Sequence, residues 1–297
     1  MSLLNAHKNK NLLLLALVSV VASVMFSFLG APLLRAFSVT TKSVVFWATA
    51  VLLIAALLVA GNTDFKISQT AIYVGAIWMT LGSYNELEKR GVNWRMTGLF
   101  AVLTGTLFAL AGYFLVLKDL GSIEAVKEML EPLIAAFAKS APNASITADD
   151  LVSLLPGIFM GSLVGALALG LMLESKAAKI FGVKRERVAS SLRWLEFRAP
   201  DAMIWTTLIT ALIAATSQTI WQTLSLNILF VTLTVFFFQG LAVVEFSMRY
   251  YRLGFFTRAM TYLLIILQLA PILVFVGFVD YWVDFRRFIR RKSKTTA

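Results

Sequence analysis

Cysteine is absent from the 297 residues. That excludes disulfides, thiolate metal sites and a cysteine nucleophile. Histidine occurs once, as His7 in a polar N-terminal stretch. One terminal histidine points to a solvated tail rather than to a metal site or a serine–histidine pair. Charge is scarce as well, at 14% of residues, against about 25% in soluble domains. The sequence contains no H-E-x-x-H, no G-x-x-x-x-G-K-[ST] and no G-x-S-x-G. No pair of carboxylates sits within a hydrophobic run for acid–base work. These absences lead to the expectation of a non-enzymatic protein with no metal and no cofactor.

What is present is apolar. Hydrophobic residues make up 59% of the chain, too many for a soluble fold to keep from water. A bilayer removes that requirement by covering the apolar exterior with lipid. The net charge of +11 invites a nucleic-acid reading, but no soluble basic module is visible. The basic residues lie between hydrophobic runs, where they suit loops facing anionic lipid. The expected partners are therefore membrane lipids and no nucleic acid. The first run, Asn11 to Leu29, is too long for a signal-peptide core and reads as an uncleaved span.

A span needs about 20 mostly apolar residues in helical form. About eight segments qualify: 11–30, 44–61, 67–84, 96–117, 151–173, 203–218, 224–247 and 259–283. The expected fold class is an all-α integral membrane protein, with residues 1–297 as one transmembrane domain and amphipathic interfacial helices in two longer loops. The segment 203–218 is short and 67–84 carries several polar residues. In the first long loop, 118–150, Ile123, Val126, Leu130, Leu133, Ile134 and Phe137 recur at helical spacing, with Pro132 interrupting. The second, 174–202, carries Lys176, Lys179, Lys184, Arg185, Arg187, Arg193 and Arg198 against Glu174, Glu186, Glu196 and Asp201. It suits an interfacial helix on anionic lipid or a dock for a partner. This loop and the basic tail from Arg286 to Lys294 both call for the cytoplasmic side, yet three expected spans separate them.

Small residues let membrane helices approach closely. Gly157, Gly161 and Gly165 make one stripe, Gly98, Ala101, Gly105, Ala109 and Gly112 a second, and Ser19, Ser23 and Ser27 a third. They predict an inner bundle of the first, fourth and fifth spans. The bulky seventh and eighth spans suit a lipid-facing perimeter or an oligomer contact, with Pro271 kinking the eighth. Intramembrane polar residues are default functional candidates. Asn227, Gln239, Glu245 and Gln268 are the ligand-binding candidates, with Gln218 and Gln222 nearby in sequence. The alternative for each is one interhelical hydrogen bond. Asp280, Asp284 and Arg287 share a helical face beside Tyr281 and Trp282, as in an interfacial anchor.

The runs Leu226-Asn227-Ile228-Leu229 and Phe238-Gln239-Gly240-Leu241-Ala242-Val243-Val244 lead toward a family. So do Phe197-Arg198-Ala199-Pro200 and the stretch from Gly277 to Arg286. Together they resemble the YybS-like family of uncharacterised multi-spanning bacterial membrane proteins. The resemblance is best over 196–287. It implies a distant likeness to the substrate-binding S-components of energy-coupling-factor transporters, and hence a bundle around a small-molecule site. This chain has more expected spans than that pattern and no clear vitamin-binding residues. The resulting expectation is a multi-pass protein of the bacterial cytoplasmic (inner) membrane that binds a small or lipidic ligand, as in a transport subunit. The rival expectation is a scaffold, either a homo-oligomer or the dock of a membrane partner protein.

Overall fold

In the computed structural model the described residues are 2–61, 64–117, 126–128, 130–132, 134–135, 147–183, 194–218 and 220–295. Helix dominates them, and no strand occurs among them. The chain divides into two compact units, Met1–Arg187 and Val188–Ala297.

The first unit contains α1 (Ser2–Met25), α2 (Ala31–Thr40), α3 (Ser43–Ala60), α4 (Phe65–Lys89), α5 (Trp94–Gly112) and α6 (Ala148–Ile180). Local chemistry sets several of their ends. The Asp64 carboxylate accepts the Lys66 and Ile67 amides and starts α4. Thr147 and Asp150 form a capping box at the head of α6. Gly182, at a φ of 62°, takes the left-handed conformation that stops α6. Pro32 sits in the first turn of α2, where its missing amide costs nothing.

The centre of this unit is α4, whose buried face runs from Ser68 to Asn85. It packs against α2, α3, α5 and α6. Trp78 lies fully buried, stacked on Phe46 at 5.0 Å and edge-on to Phe37 at 6.2 Å. Its indole N–H donates to the Ser23 hydroxyl at 3.2 Å. A Cβ on Gly105 would overlap the Thr80 hydroxyl and crowd the Ala76 carbonyl, so α5 approaches α4 closely there. The inner helix is thus the polar 67–84 segment. Neighbouring protein, rather than its own composition, keeps it from lipid.

The second unit contains α7 (Asp201–Thr216), α8 (Ile220–Tyr250), α9 (Phe255–Leu267), α10 (Ala270–Val283) and α11 (Phe285–Thr295). α7 packs on α8, and the Gln222 side chain donates to the Ala214 carbonyl across the turn at 3.3 Å. α10 crosses α8 where two glycines meet. A Cβ on Gly240 would overlap the Leu273 carbonyl, and one on Gly277 the Phe236 carbonyl. Phe236 and Phe278 close the crossing edge-to-face at 5.3 Å.

Among the described residues four helices are long and apolar enough to cross a membrane: Ser43–Ala60, Met96–Leu115, Ala148–Ile180 and Ile220–Tyr250. The pair α9–α10 would make a fifth, but it bends by 97°. The expected count of eight is therefore not confirmed: by length and composition the described residues supply four candidate spans, or five with the bent pair. The segment expected at 11–30 breaks at Phe26, and its apolar part, Lys10–Met25, is shorter. The segment at 203–218 lies on α7, also a shorter apolar helix. The 67–84 segment lies on α4, long enough but more polar. The eighth breaks at Gln268–Leu269, and Pro271 occupies the first turn of the new helix instead of kinking one continuous helix.

The expected perimeter and loops also change. Within its most apolar window α8 is 50% buried, against 11% for α3, so α3 presents more of its surface outward than α8 does. The loop expected at 174–202 starts later, because α6 continues to Ile180. Residues 184–193 of it lie outside the described residues. In the other loop, Ile123, Leu133 and Phe137 lie outside them, whereas Val126, Leu130 and Ile134 are helical.

Candidate functional site

The most buried charges of the first unit meet where α2, α4 and α6 converge. The α2 sequence Ala31-Pro32-Leu33-Leu34-Arg35-Ala36-Phe37 is almost wholly apolar, and nearly all of it is buried. Arg35 goes in with it, fully inaccessible. An isolated guanidinium could not be buried there, because the loss of hydration is too costly. Acidic partners on two other helices meet it. Its Nη2 donates to Glu88 of α4 in a short charge-assisted bond. Its Nε lies 3.4 Å from the carboxylate of Glu174 on α6, which is also fully buried. Nη1 donates to the Asn85 side-chain oxygen at 3.4 Å, and the Tyr84 ring lies 4.9 Å from the guanidinium carbon. Asn85 in turn donates to the Ser38 carbonyl at 2.7 Å, and the Ser38 hydroxyl to the Arg35 carbonyl at 2.8 Å. One positive and two negative groups are thus locked into three helices.

This ionic centre anchors α2, and beside α2 lies an apolar recess of about 440 Å3. Leu17, Val18, Val21, Ala22, Phe26, Leu29, Gly30 and Leu33 line it. The break between α1 and α2 creates it: Ser27 adopts a φ of 42°, and a short 3-10 turn over Ser27–Gly30 folds back on α1. A Cβ on Gly30 would press into the Ala22 backbone, so glycine permits that return. Leu17, Val21, Phe26 and Leu29 are exposed, which leaves the recess open along one side.

In the second unit a different polar centre joins the start of α7 to the end of α10. Gln239 is buried, accepts the Ala199 amide at 2.8 Å and donates to Asp280 at 3.1 Å. The other Asp280 oxygen accepts the Phe285 amide at 3.1 Å. Arg286 donates to the Phe197 carbonyl at 2.8 Å and to Asp280 at 3.3 Å. Burial pushes the Arg286 guanidinium below its ordinary pKa, and the Asp280 charge pulls it back up. Farther along α8, the Glu245 carboxylate accepts from Arg249 at 2.7 Å and from Tyr262 of α9 at 2.6 Å.

The sequence-derived ligand candidates do not converge on one pocket. Gln239 and Glu245 each tie α8 to other segments. Asn227 lies twelve residues before Gln239, about 18 Å of helix rise, and donates to the Thr223 carbonyl of its own helix at 2.8 Å. Gln268 is exposed at the end of α9. Asp284 pairs with Arg198 at 3.0 Å, and its carboxylate accepts the Arg287 amide at 3.2 Å. Among the glycines, Gly105 and Gly112 abut α4, at Thr80 and Ile72 respectively, and Gly98 lies near Leu167 of α6. Gly157, Gly161 and Gly165 are buried along α6. Among the described residues no group of three metal-ligating side chains stands together.

Sequence reasoning missed Arg35 and Glu88 and placed Glu174 in a loop. A signal existed: a lone arginine in a mostly apolar decapeptide with proline second, and a glutamate four residues after Gly170 on the same helical face.

Long apolar helices, buried ion pairs and glycine-mediated helix crossings define a multi-pass α-helical membrane protein. The chain belongs to the family described as predicted membrane protein (DUF2232), whose model matches residues 11–281. That match extends the YybS-like resemblance from the C-terminal motifs to both units. No curated protein and no solved structure matches the chain.

Proposed function

We propose that this is a non-enzymatic membrane protein of the bacterial inner membrane that binds a lipidic ligand in the recess between α1 and α2. The observation that carries the reading is the lining: all eight residues are apolar, and the volume of about 440 Å3 lies within the range of small-molecule sites. Such a wall offers an acyl or isoprenoid chain dispersion contacts and gives a polar metabolite nothing to bond. The fixed position of α2, held by Arg35, supplies the rigidity that a binding site needs. On the likeness to S-components, the bound molecule would be the cargo of a transport subunit. The scaffold reading would use the face of α8 that α7 and α10 already occupy.

The test is to fill the recess. Leu17 and Val21 are exposed lining residues, so L17W/V21W should fold. Purified protein is stripped with detergent, and the lipids retained are measured by mass spectrometry. We expect the double variant to lose the retained lipid severalfold while its thermal midpoint is kept. Retention unchanged in L17W/V21W, or lost instead in a folded Q239L/E245L protein, would move the site out of the recess.

A further inference from the structure

The C-terminal helix α11 carries Arg286, Arg287, Arg290, Arg291, Lys292 and Lys294 and no acidic residue. Two of the cations are engaged within the protein. Arg286 is buried on Phe197 and Asp280, and Arg290 reaches Glu196 at 3.3 Å and lies over the Phe246 ring at 5.1 Å. Arg287 is exposed, and helical register puts Arg287, Arg291 and Lys294 on one face. Phe288, beside that face, is 66% exposed. Just before the helix, Trp282 and Val283 are also exposed, at the end of the apolar α10.

Several polar contacts tie down the start of α11. Its first amide donates to Asp280, the Arg287 amide donates to Asp284, and Asp284 is itself paired with Arg198. Asp284 takes the left-handed conformation that turns the chain between α10 and α11. A strongly basic helix therefore follows an apolar one, with the exposed aromatic side chains of Trp282 and Phe288 near the exposed Arg287. That combination fits the boundary between hydrocarbon and headgroups.

We propose that α11 is a docking surface for anionic phospholipid headgroups of the bilayer in which the protein sits. Charge complementarity selects the occupant. Phe288 and Trp282 reach the acyl boundary, and the Arg287 face meets phosphate. This surface uses headgroup charge and is independent of the recess, which recognises only an apolar chain.

The full-length protein is reconstituted in nanodiscs containing equal amounts of phosphatidylglycerol and phosphatidylcholine. The lipids that remain bound on release are counted by native mass spectrometry. Each basic residue near an anionic surface is worth about a fivefold preference, so phosphatidylglycerol should exceed phosphatidylcholine at least about fivefold. R287Q/R291Q/K292Q/K294Q should bring the ratio near one and leave the recess-bound lipid in place. R287K/R291K should keep the preference, which controls for folding. Raised salt should weaken the preference, and inorganic phosphate at equal ionic strength should compete no better than chloride. Equal binding of the two lipids by the wild type, a preference that survives the fourfold variant, or specific displacement by inorganic phosphate would overturn the proposal.

Discussion

Among the described residues each of the two units buries one arginine, and the two are held in different ways. Arg35 draws its partners from residues 53 and 139 positions away on other helices, Glu88 and Glu174. Arg286 finds Asp280 six residues back and a backbone carbonyl at Phe197. The first unit is therefore stitched by side chains across α2, α4 and α6. The second brings two helix backbones together at Gly240 and Gly277 and adds polar ties at one end. The comparison teaches that the first unit depends on charge balance, and the second on the absence of side-chain volume.

The largest test of that difference is Arg35→Met. It leaves the Glu174 charge buried and uncompensated, and should cost about 3–5 kcal/mol, seen as a lowered thermal midpoint in detergent. The triple variant R35M/E88Q/E174Q removes the charges together and should recover most of the loss. A stable R35M single variant would mean that charge balance does not hold the first unit. Next is Gly277→Val, which drives a side chain into the Phe236 carbonyl and should cost about 3 kcal/mol. Proteolysis should then open sites after residue 200 while the first unit remains protected. If G277V resists protease as the wild type does, the helices can separate cheaply.

A smaller effect is expected from Gln239→Leu. It removes the acceptor of the Ala199 amide and a donor to Asp280, at about 2 kcal/mol, read by the same unfolding assay. A loss as large as that of R35M would show that the second unit, too, hangs on a polar centre. Smallest is Arg290→Gln, which breaks an exposed pair with Glu196 and should change stability by no more than about 0.5 kcal/mol. A shift well beyond that would assign structural weight to the α11 surface.

The sequence made parts of this contrast readable. Helices α3, α5, α6 and α8 follow from apolar length alone, since only a helix satisfies that much backbone in hydrocarbon. The inner place of α4 did not follow, because a helix sheathed by protein tolerates polar residues such as Ser68, Thr80 and Asn85 on its buried face. Arg35 was hidden because α2 spans only ten residues, half of what a crossing needs, and so reads as a connection. Glu174 was hidden because apolarity ends at 173 while hydrogen bonding carries α6 on to Ile180. The Gly240–Gly277 crossing had a visible signal in two lone glycines within otherwise bulky runs. Bulk all around a helix instead suggested a perimeter.

The pair between Arg198 and Asp284, 3.0 Å apart, has a consequence for parity. An ion pair at the membrane surface predicts one aqueous compartment for both groups, and hence an even number of crossings by the chain between them. A re-entrant α9–α10 pair, bent by 97°, with α7 and α8 crossing, would meet that requirement. On that prediction Arg198 ahead of α7 and the start of α11 face the same side. A cysteine placed at 196 and one at 293 should react with the same impermeant reagent, added from the same face.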